Sequence, residues 1–402
     1  MLRFGYKASS EQFAPQHLVD LAVLAEDSGF DSVFVSDHLQ PWRHDGGHAP
    51  AALPWLGAVA ARTSRVTLGT SVLTPTFRYH PGVIAQAFAT LGCLAPGRVI
   101  LGVGSGESMN EAPLGLHWPE GKERFARLKE ALQVITALWE GERVTFEGDY
   151  YSLDKATIYD LPETRVPLYV AASGPAATRL AGRMGDGFIC TSGKGRDLYT
   201  QTLLPALAEG AGKVDKTLDD LDLMIEVKVS FDPDLDRAMD DTRFWGALAL
   251  SSDEKTGVED PVEMQRLADA LPVERTASRF IVSHDPDEHV ERIWDYVDMG
   301  FRHLVFHAPA PTRNASSPAT NATSCRGCAL APRPRASTWR SEPAPHPYEC
   351  CRPPARGPWW RDDQAHRIPD RSRGHRGRRA HRPVGRRDRG RTHGRAALPR
   401  VR

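Results

Sequence analysis

The first 310 residues contain only two cysteines, Cys93 and Cys190. That scarcity excludes a disulfide framework and points to a reducing compartment. No run reaches the roughly 18 consecutive apolar residues of a membrane span. The opening Met1-Leu-Arg-Phe-Gly-Tyr-Lys7 reads as a strand rather than a signal peptide. A cytoplasmic protein with no membrane partner is therefore expected. Residues 311–402 lack Lys, Phe and Met altogether, and Ile368 is their single isoleucine. So little apolar surface cannot offset the entropy of ordering a chain.

The zero net charge hides two different materials. Residues 311–402 carry 22 Arg against 6 Asp and Glu, while residues 1–310 carry 29 basic and 45 acidic residues. By count the parts stand at +16 and −16. Function is therefore sought in residues 1–310, with 311–402 as a separate tail. Arg clusters could make that tail a basic arm for nucleic acid. Cys325-x-x-Cys328 with Cys350 and Cys351 could be a zinc site, although adjacent cysteines and a Pro-rich spacing argue against it. The abrupt Arg/Pro/Ala/Gly/His composition fits better with out-of-frame translation of a GC-rich gene. The tail is expected to be disordered and non-catalytic, with no nucleic-acid partner and no metal.

Within the first part, short apolar runs alternate with helical patterns. Strands are expected at 2–6, 33–36, 66–71, 98–103, 168–171, 187–190, 225–229 and 303–307. Helices are expected at 17–29, 53–62, 81–94, 120–139, 175–184 and 198–209, with a long helical region from strand seven to residue 299. Eight such repeats predict a (β/α)8 TIM barrel, which needs about 250 residues plus insertions. The insertions fall at 144–153, a hairpin by pattern, and at 230–275. An open doubly wound sheet is the competing architecture.

Barrel chemistry gathers where strands end. Strand two ends in Ser36-Asp37-His38, strand three in Gly69-Thr-Ser-Val-Leu-Thr74, and strand four in Gly102-Val-Gly-Ser-Gly-Glu107. Strand five ends in Ala171-Ala-Ser-Gly174-Pro175 and strand six in Cys190-Thr-Ser-Gly-Lys194. His38 beside Asp37 is the natural proton carrier near neutral pH. Glu107 reads equally as a carboxylate in the mouth or as a first-turn helix acid. Lys194, Lys255 and Arg279 share no spacing, and alone they read as surface charges.

Several longer stretches carry more. They include Glu11-Gln-Phe-Ala-Pro15, Ser36-Asp-His-Leu-Gln-Pro-Trp-Arg43, Leu68-Gly-Thr-Ser-Val-Leu-Thr-Pro-Thr-Phe-Arg-Tyr79, Gly185-Asp-Gly-Phe-Ile-Cys-Thr-Ser-Gly-Lys194 and His303-Leu-Val-Phe-His-Ala-Pro309. These resemble the F420-dependent glucose-6-phosphate dehydrogenases of the bacterial luciferase-like superfamily, from about residue 3 to 309. The resemblance implies oxidation of glucose 6-phosphate at C1 to 6-phosphogluconolactone, with hydride transfer to coenzyme F420. It implies His38 and Glu107 as the acid/base pair, either of which could take the sugar proton, and Trp42 beside the reacting rings. It places Asp37, Thr74, Ser105, Gly106, Asn110, Ser173, Gly174, Ala176 and Ala177 around the cofactor, with a cis bond between Ser71 and Val72 behind it. It turns Lys194, Lys255 and Arg279 into a phosphate clamp, with Thr191 contacting substrate.

The family is commonly homodimeric. Ser173 departs from its usual Gly, Ser105 from a common Thr, and the loop from Asn110 to Trp118 is slightly short. Pro311 and Pro318 interrupt the helix with which the family closes the barrel. Two readings compete with the main one: an FMN-dependent luciferase-like monooxygenase, and a non-catalytic F420-binding protein.

Overall fold

The computed structural model describes residues 1–309. Eight strands form its frame: β1 (Arg3–Ala8), β2 (Ser32–Val35), β3 (Thr67–Thr70), β4 (Val99–Val103), β5 (Leu168–Ala171), β6 (Gly187–Thr191), β7 (Asp222–Phe231) and β8 (His303–His307). All neighbours pair in parallel in the order β7-β8-β1-β2-β3-β4-β5-β6, and pairing of β6 with β7 closes the ring. This is the expected (β/α)8 barrel, and closure rules out the open sheet.

The helices that matter for the site are α1 (Pro15–Asp27), α2 (Ala52–Arg62), α3 (Pro81–Leu94), α4 (Gly121–Glu140), α5 (Pro175–Met184), α6 (Leu204–Gly212) and α7 (Pro286–Asp298). Leu18, Leu21, Ala22 and Ala25 form the buried stripe of α1, and Gly29 takes the left-handed φ of +81° that ends it. The hairpin pairs Val144–Glu147 with Ser152–Ala156, slightly longer than its pattern.

The long helical region expected between β7 and β8 is present but broken into short pieces. Short helices at Leu235–Asp240, Pro261–Asp269 and Val273–Ala277 stand there. A brief strand, Ile281–Ser283, extends the end of β7 before α7 begins. Pro261 and Pro286 start new helices and Pro272 caps a third. Proline lacks the amide that would continue a helix. The expectations for residues 311–402 lie outside the described residues.

Strand alternation divides the core. Phe34, Ile100, Tyr169, Ile189, Met224 and Val305 fill the barrel. A much larger cluster, including Leu18, Trp55, Phe88 and Leu132, seals helices against strands. A third joins Trp42, Met109, Trp245, Met264 and Phe280 around the segment between β7 and β8. The strand starts carry a polar lock. His303 Nδ1 lies 2.8 Å from Asp222 Oδ2, and His303 Nε2 lies 2.7 Å from Ser32 Oγ. Tyr169 donates to the same Asp222 oxygen at 2.6 Å, and Arg3 pairs with it. Ser, His and Asp stand here in the order of a hydrolase triad, but Ser32 and His303 are fully buried. The cluster ties five strands together and exposes no nucleophile.

Candidate active site

A cleft of about 440 Å³ opens at the strand C-terminal ends. It is lined by His38, Glu107 and Trp42, and also by Asp37, Ser71, Val72, Thr74, Ser105, Gly106, Asn110, Ser173, Gly174, Ala177, Thr191, Lys255 and Arg279. Eight barrel strands thus bring together residues spread over most of the described chain. Ala176 and Lys194 are not among the lining residues. Ala176 sits exposed on the first turn of α5. Lys194, exposed between two glycines, faces a neighbouring cavity with Arg196, Arg292 and Tyr296. Gly193 nevertheless packs directly against the Arg279 backbone. Burial, then Arg279, lowers the Lys194 ammonium from its ordinary value.

His38 follows β2, and its ring stands between two carboxylates. Glu11 Oε1 is 3.2 Å from Nδ1 and Glu107 Oε2 is 3.5 Å from Nε2. The Glu11 side chain is 2% exposed and that of Glu107 is 45% exposed, so one carboxylate is locked in and the other meets solvent. The Glu11 approach is close but does not align as a hydrogen bond. Asp37, the chain neighbour of His38, does not face the imidazole. Its carboxylate takes Arg78 at 2.6 Å and the Ala52 amide at 3.1 Å.

Arg78 also reaches Glu111 at 2.5 Å, tying the loops after β2, β3 and β4 into one unit. Asn110 accepts from the Leu39 amide at 2.8 Å and so fixes the chain just past His38. The Trp42 ring meets His38 edge-on at 5.8 Å, and Lys255 Nζ stands 4.7 Å from the Trp42 centroid. Burial pulls the Lys255 ammonium down, with Glu107 opposing and Arg279 adding to the effect.

The Ser71–Val72 bond is cis, as the resemblance implied. Val72 and Thr74 face two glycines closely. A Cβ at Gly104 would come within 2.8 Å of Val72, and one at Gly106, whose φ is +79°, within 2.8 Å of Thr74. Only glycine keeps this wall flat enough for a ring system to lie against backbone. Gly174 caps α5 without a side-chain bond; Pro175 has no N–H and the Thr178 amide bonds back to the Gly174 carbonyl, so the Ala176 and Ala177 amides are the ones placed for an anionic group.

Sequence reasoning missed part of the lining: Glu11, Lys7, Glu226, Lys228, Trp245 and His307. Glu226 and Lys228 alternate along the apolar middle of β7, a readable sign of two inward-facing charges. Burial works against the Glu226 carboxylate, but Lys7, Lys228 and His307 outweigh it and hold it well below the usual range. Burial pulls Lys228 below its ordinary value against that attraction.

The family model described as luciferase-like monooxygenase matches residues 2–303. An F420-dependent glucose-6-phosphate dehydrogenase of Beutenbergia cavernae is 79% identical over 309 residues, covering 77% of this chain and 92% of its own. One from Mycobacterium tuberculosis is 60% identical over 310 residues, covering 77% and 92%. Among solved structures, an F420-dependent secondary alcohol dehydrogenase bound to an F420-acetone adduct aligns with TM-score 0.73 at 36% identity, over 77% of this chain and 94% of its own. The F420-dependent tetrahydromethanopterin reductase of Methanopyrus kandleri, at 21% identity and TM-score 0.66, covers 80% and 96% and shares the fold. By family model and by relatives alike, the chain belongs to the luciferase-like monooxygenase family, in the group of the F420-dependent glucose-6-phosphate dehydrogenases.

Proposed function

We propose that this enzyme oxidises glucose 6-phosphate at C1, giving 6-phosphogluconolactone, with coenzyme F420 as hydride acceptor. One observation carries the reading: a single cleft joins a glycine-flattened wall, a histidine between two carboxylates, and the cations Lys255 and Arg279. The wall residues fit the cofactor, which when bound supplies a deazaflavin ring able to accept two electrons as hydride. Gly104, Gly106, Val72 and Thr74 would lie against that ring, and the Ala176 and Ala177 amides of α5 would meet an anionic group elsewhere on the cofactor.

As the C1–H bond gives up its electron pair, the C1 hydroxyl loses its proton to His38. Glu11 positions the imidazole and offsets the positive charge that forms on it. Glu107, half in solvent, passes protons between the cleft and water. Trp42 shields His38 on one side. Arg279 and Lys255 hold the phosphate with Thr191 beside them, and Lys194 adds charge from the adjoining loop. Holding donor and acceptor in register supplies much of the rate.

Adding glucose 6-phosphate and F420 to purified protein should bleach the oxidised cofactor. No bleaching, or oxygen uptake with FMN in its place, would sink the reading. The protein is further taken to work in the cytoplasm as a homodimer. No helix among the described residues is long and apolar enough to cross a membrane. Light scattering on the purified chain tests the dimer.

A further inference from the structure

One group of four ionisable residues on the cleft lining has no part in the chemistry above. They are Lys7 on β1, Glu226 and Lys228 on β7, and His307 on β8, and all four are buried. Parallel register sets Glu226 beside Thr191 of β6, and Lys228 beside His307 of β8. The group therefore adjoins the residue expected to meet substrate.

Glu226 is its centre. Its oxygens lie 3.2 Å from Lys7 Nζ, 3.4 Å from Lys228 Nζ and 3.4 Å from His307 Nδ1. All three are longer than the roughly 2.7–2.9 Å of a good charge-assisted bond. Among the described residues neither ring nitrogen of His307 has an aligned hydrogen-bonding partner, Glu226 being a close approach to Nδ1 alone. Trp245, edge-on at 4.4 Å, and Phe280, at 6.2 Å, hold the ring in that state. Buried polar groups are ordinarily satisfied, so such a cluster facing a cleft is shaped for a ligand that satisfies it. Burial lowers the His307 pKa, and Glu226 offsets only part of this. A neutral imidazole offers one N–H and one lone pair, the complement of a hydroxyl, which both donates and accepts. Glu226 would repel a phosphate but accepts readily from O–H.

We propose that Glu226, Lys228 and His307 form a subsite that reads the ring hydroxyls of the sugar, Glu226 accepting and Lys228 and His307 donating. This rests on the reading of the cleft as a sugar-phosphate site. Lys7, which also donates to the Ser71 carbonyl, steadies Glu226 from below. The subsite selects polyols over plain alcohols. A substrate without hydroxyls would leave these buried groups unpaired, and sites built to bond a hydroxyl reject its deoxy analogue strongly.

The test crosses Lys228→Met with glucose 6-phosphate and its 2-, 3- and 4-deoxy analogues. F420 reduction gives KM and kcat. Quenching of the cleft tryptophans by each sugar phosphate, without cofactor, gives affinity independently. Lys228→Met should weaken glucose 6-phosphate by about 10- to 150-fold, the range of a hydrogen bond to a charged group. It should weaken one deoxy analogue far less, because the partner hydroxyl is already gone. Equal losses on all four ligands would overturn the proposal and make Lys228 a phosphate contact or a structural group. Should Lys228→Met fail to fold, His307→Phe carries the same comparison, with the same two outcomes. Failure of the functional reading looks different: the native chain would bind no sugar phosphate at all, and both readings would then fall.

Discussion

His38 faces one carboxylate that is sealed in and one that meets water, and this asymmetry gives the two different tasks. Glu11 can orient the ring but cannot trade protons with solvent, whereas Glu107 can do so. Replacing His38 with Ala should lower turnover about 10²–10⁴-fold, the usual worth of a positioned acid/base. F420 affinity, read by equilibrium titration, should barely change, because the glycine wall and the α5 amides remain. Near-normal turnover at neutral pH would remove His38 from the chemistry. The cations divide in a similar way. Arg279 lines the cleft and Lys194 faces the cavity beside it. Arg279→Ala should cost about 1.5–3 kcal/mol in binding glucose 6-phosphate, and Lys194→Ala clearly less. KM values for the two variants decide, with unphosphorylated glucose as control. Equal losses on sugar and sugar phosphate would show that Arg279 does not read the phosphate.

Among the elements, most strands were legible to within a residue or two, and β7 was legible in its middle alone. β5 and β8 have the limits their runs predict, because every residue in them is apolar, aromatic or a flanking histidine. β7 reads as five residues by pattern, 225–229, but spans ten, with polar Asp222 and Ser230 beyond the ends of the apolar run. Asp222, in the unread start of the strand, holds the barrel lock, while Glu226 and Lys228 in the legible part line the cleft. His38 and Glu107 were legible because they follow clean strands. Glu11 sits in the loop after β1, where nothing in its spacing announces a role.

The docking of α7 yields a pH test. His289, Val290, Ile293 and Tyr296 are its buried face, and the His289 ring meets Phe231 at the end of β7. Burial, with help from Arg292, pulls the His289 pKa down to about 4. The unfolded chain then binds the extra proton between pH 6.5 and 4, so stability is present above that window and is lost as pH falls through it. The contribution is roughly 3 kcal/mol at most. His289→Leu should make the fall of melting temperature from pH 7 to 4 shallower. An unchanged slope would mean that the imidazole is not held neutral in the fold.

On the scale of the whole molecule, the question is where the enzyme ends. Within the described residues the ring is complete. β8 is paired on both sides, with β7 and with β1, and the His303 lock joins its base to β2, β5 and β7. Among the described residues, the cleft lining runs from Lys7 to His307. The family model ends at residue 303, and the dehydrogenases quoted above match about three quarters of the chain. Residues 311–402 contribute +16 by count, and those before them −16. Charge of that kind gives the last segment no reason to take part in hydride transfer. We therefore propose residues 1–310 as the catalytic unit. A chain cut after residue 310 should bleach F420 with glucose 6-phosphate at a kcat/KM within a few-fold of the full chain. The cut chain should also run as a markedly acidic protein on isoelectric focusing. If it keeps its fold by circular dichroism but loses more than about tenfold in kcat/KM, worth about 1.4 kcal/mol, the segment beyond 310 supplies something to the site and the proposed boundary is wrong.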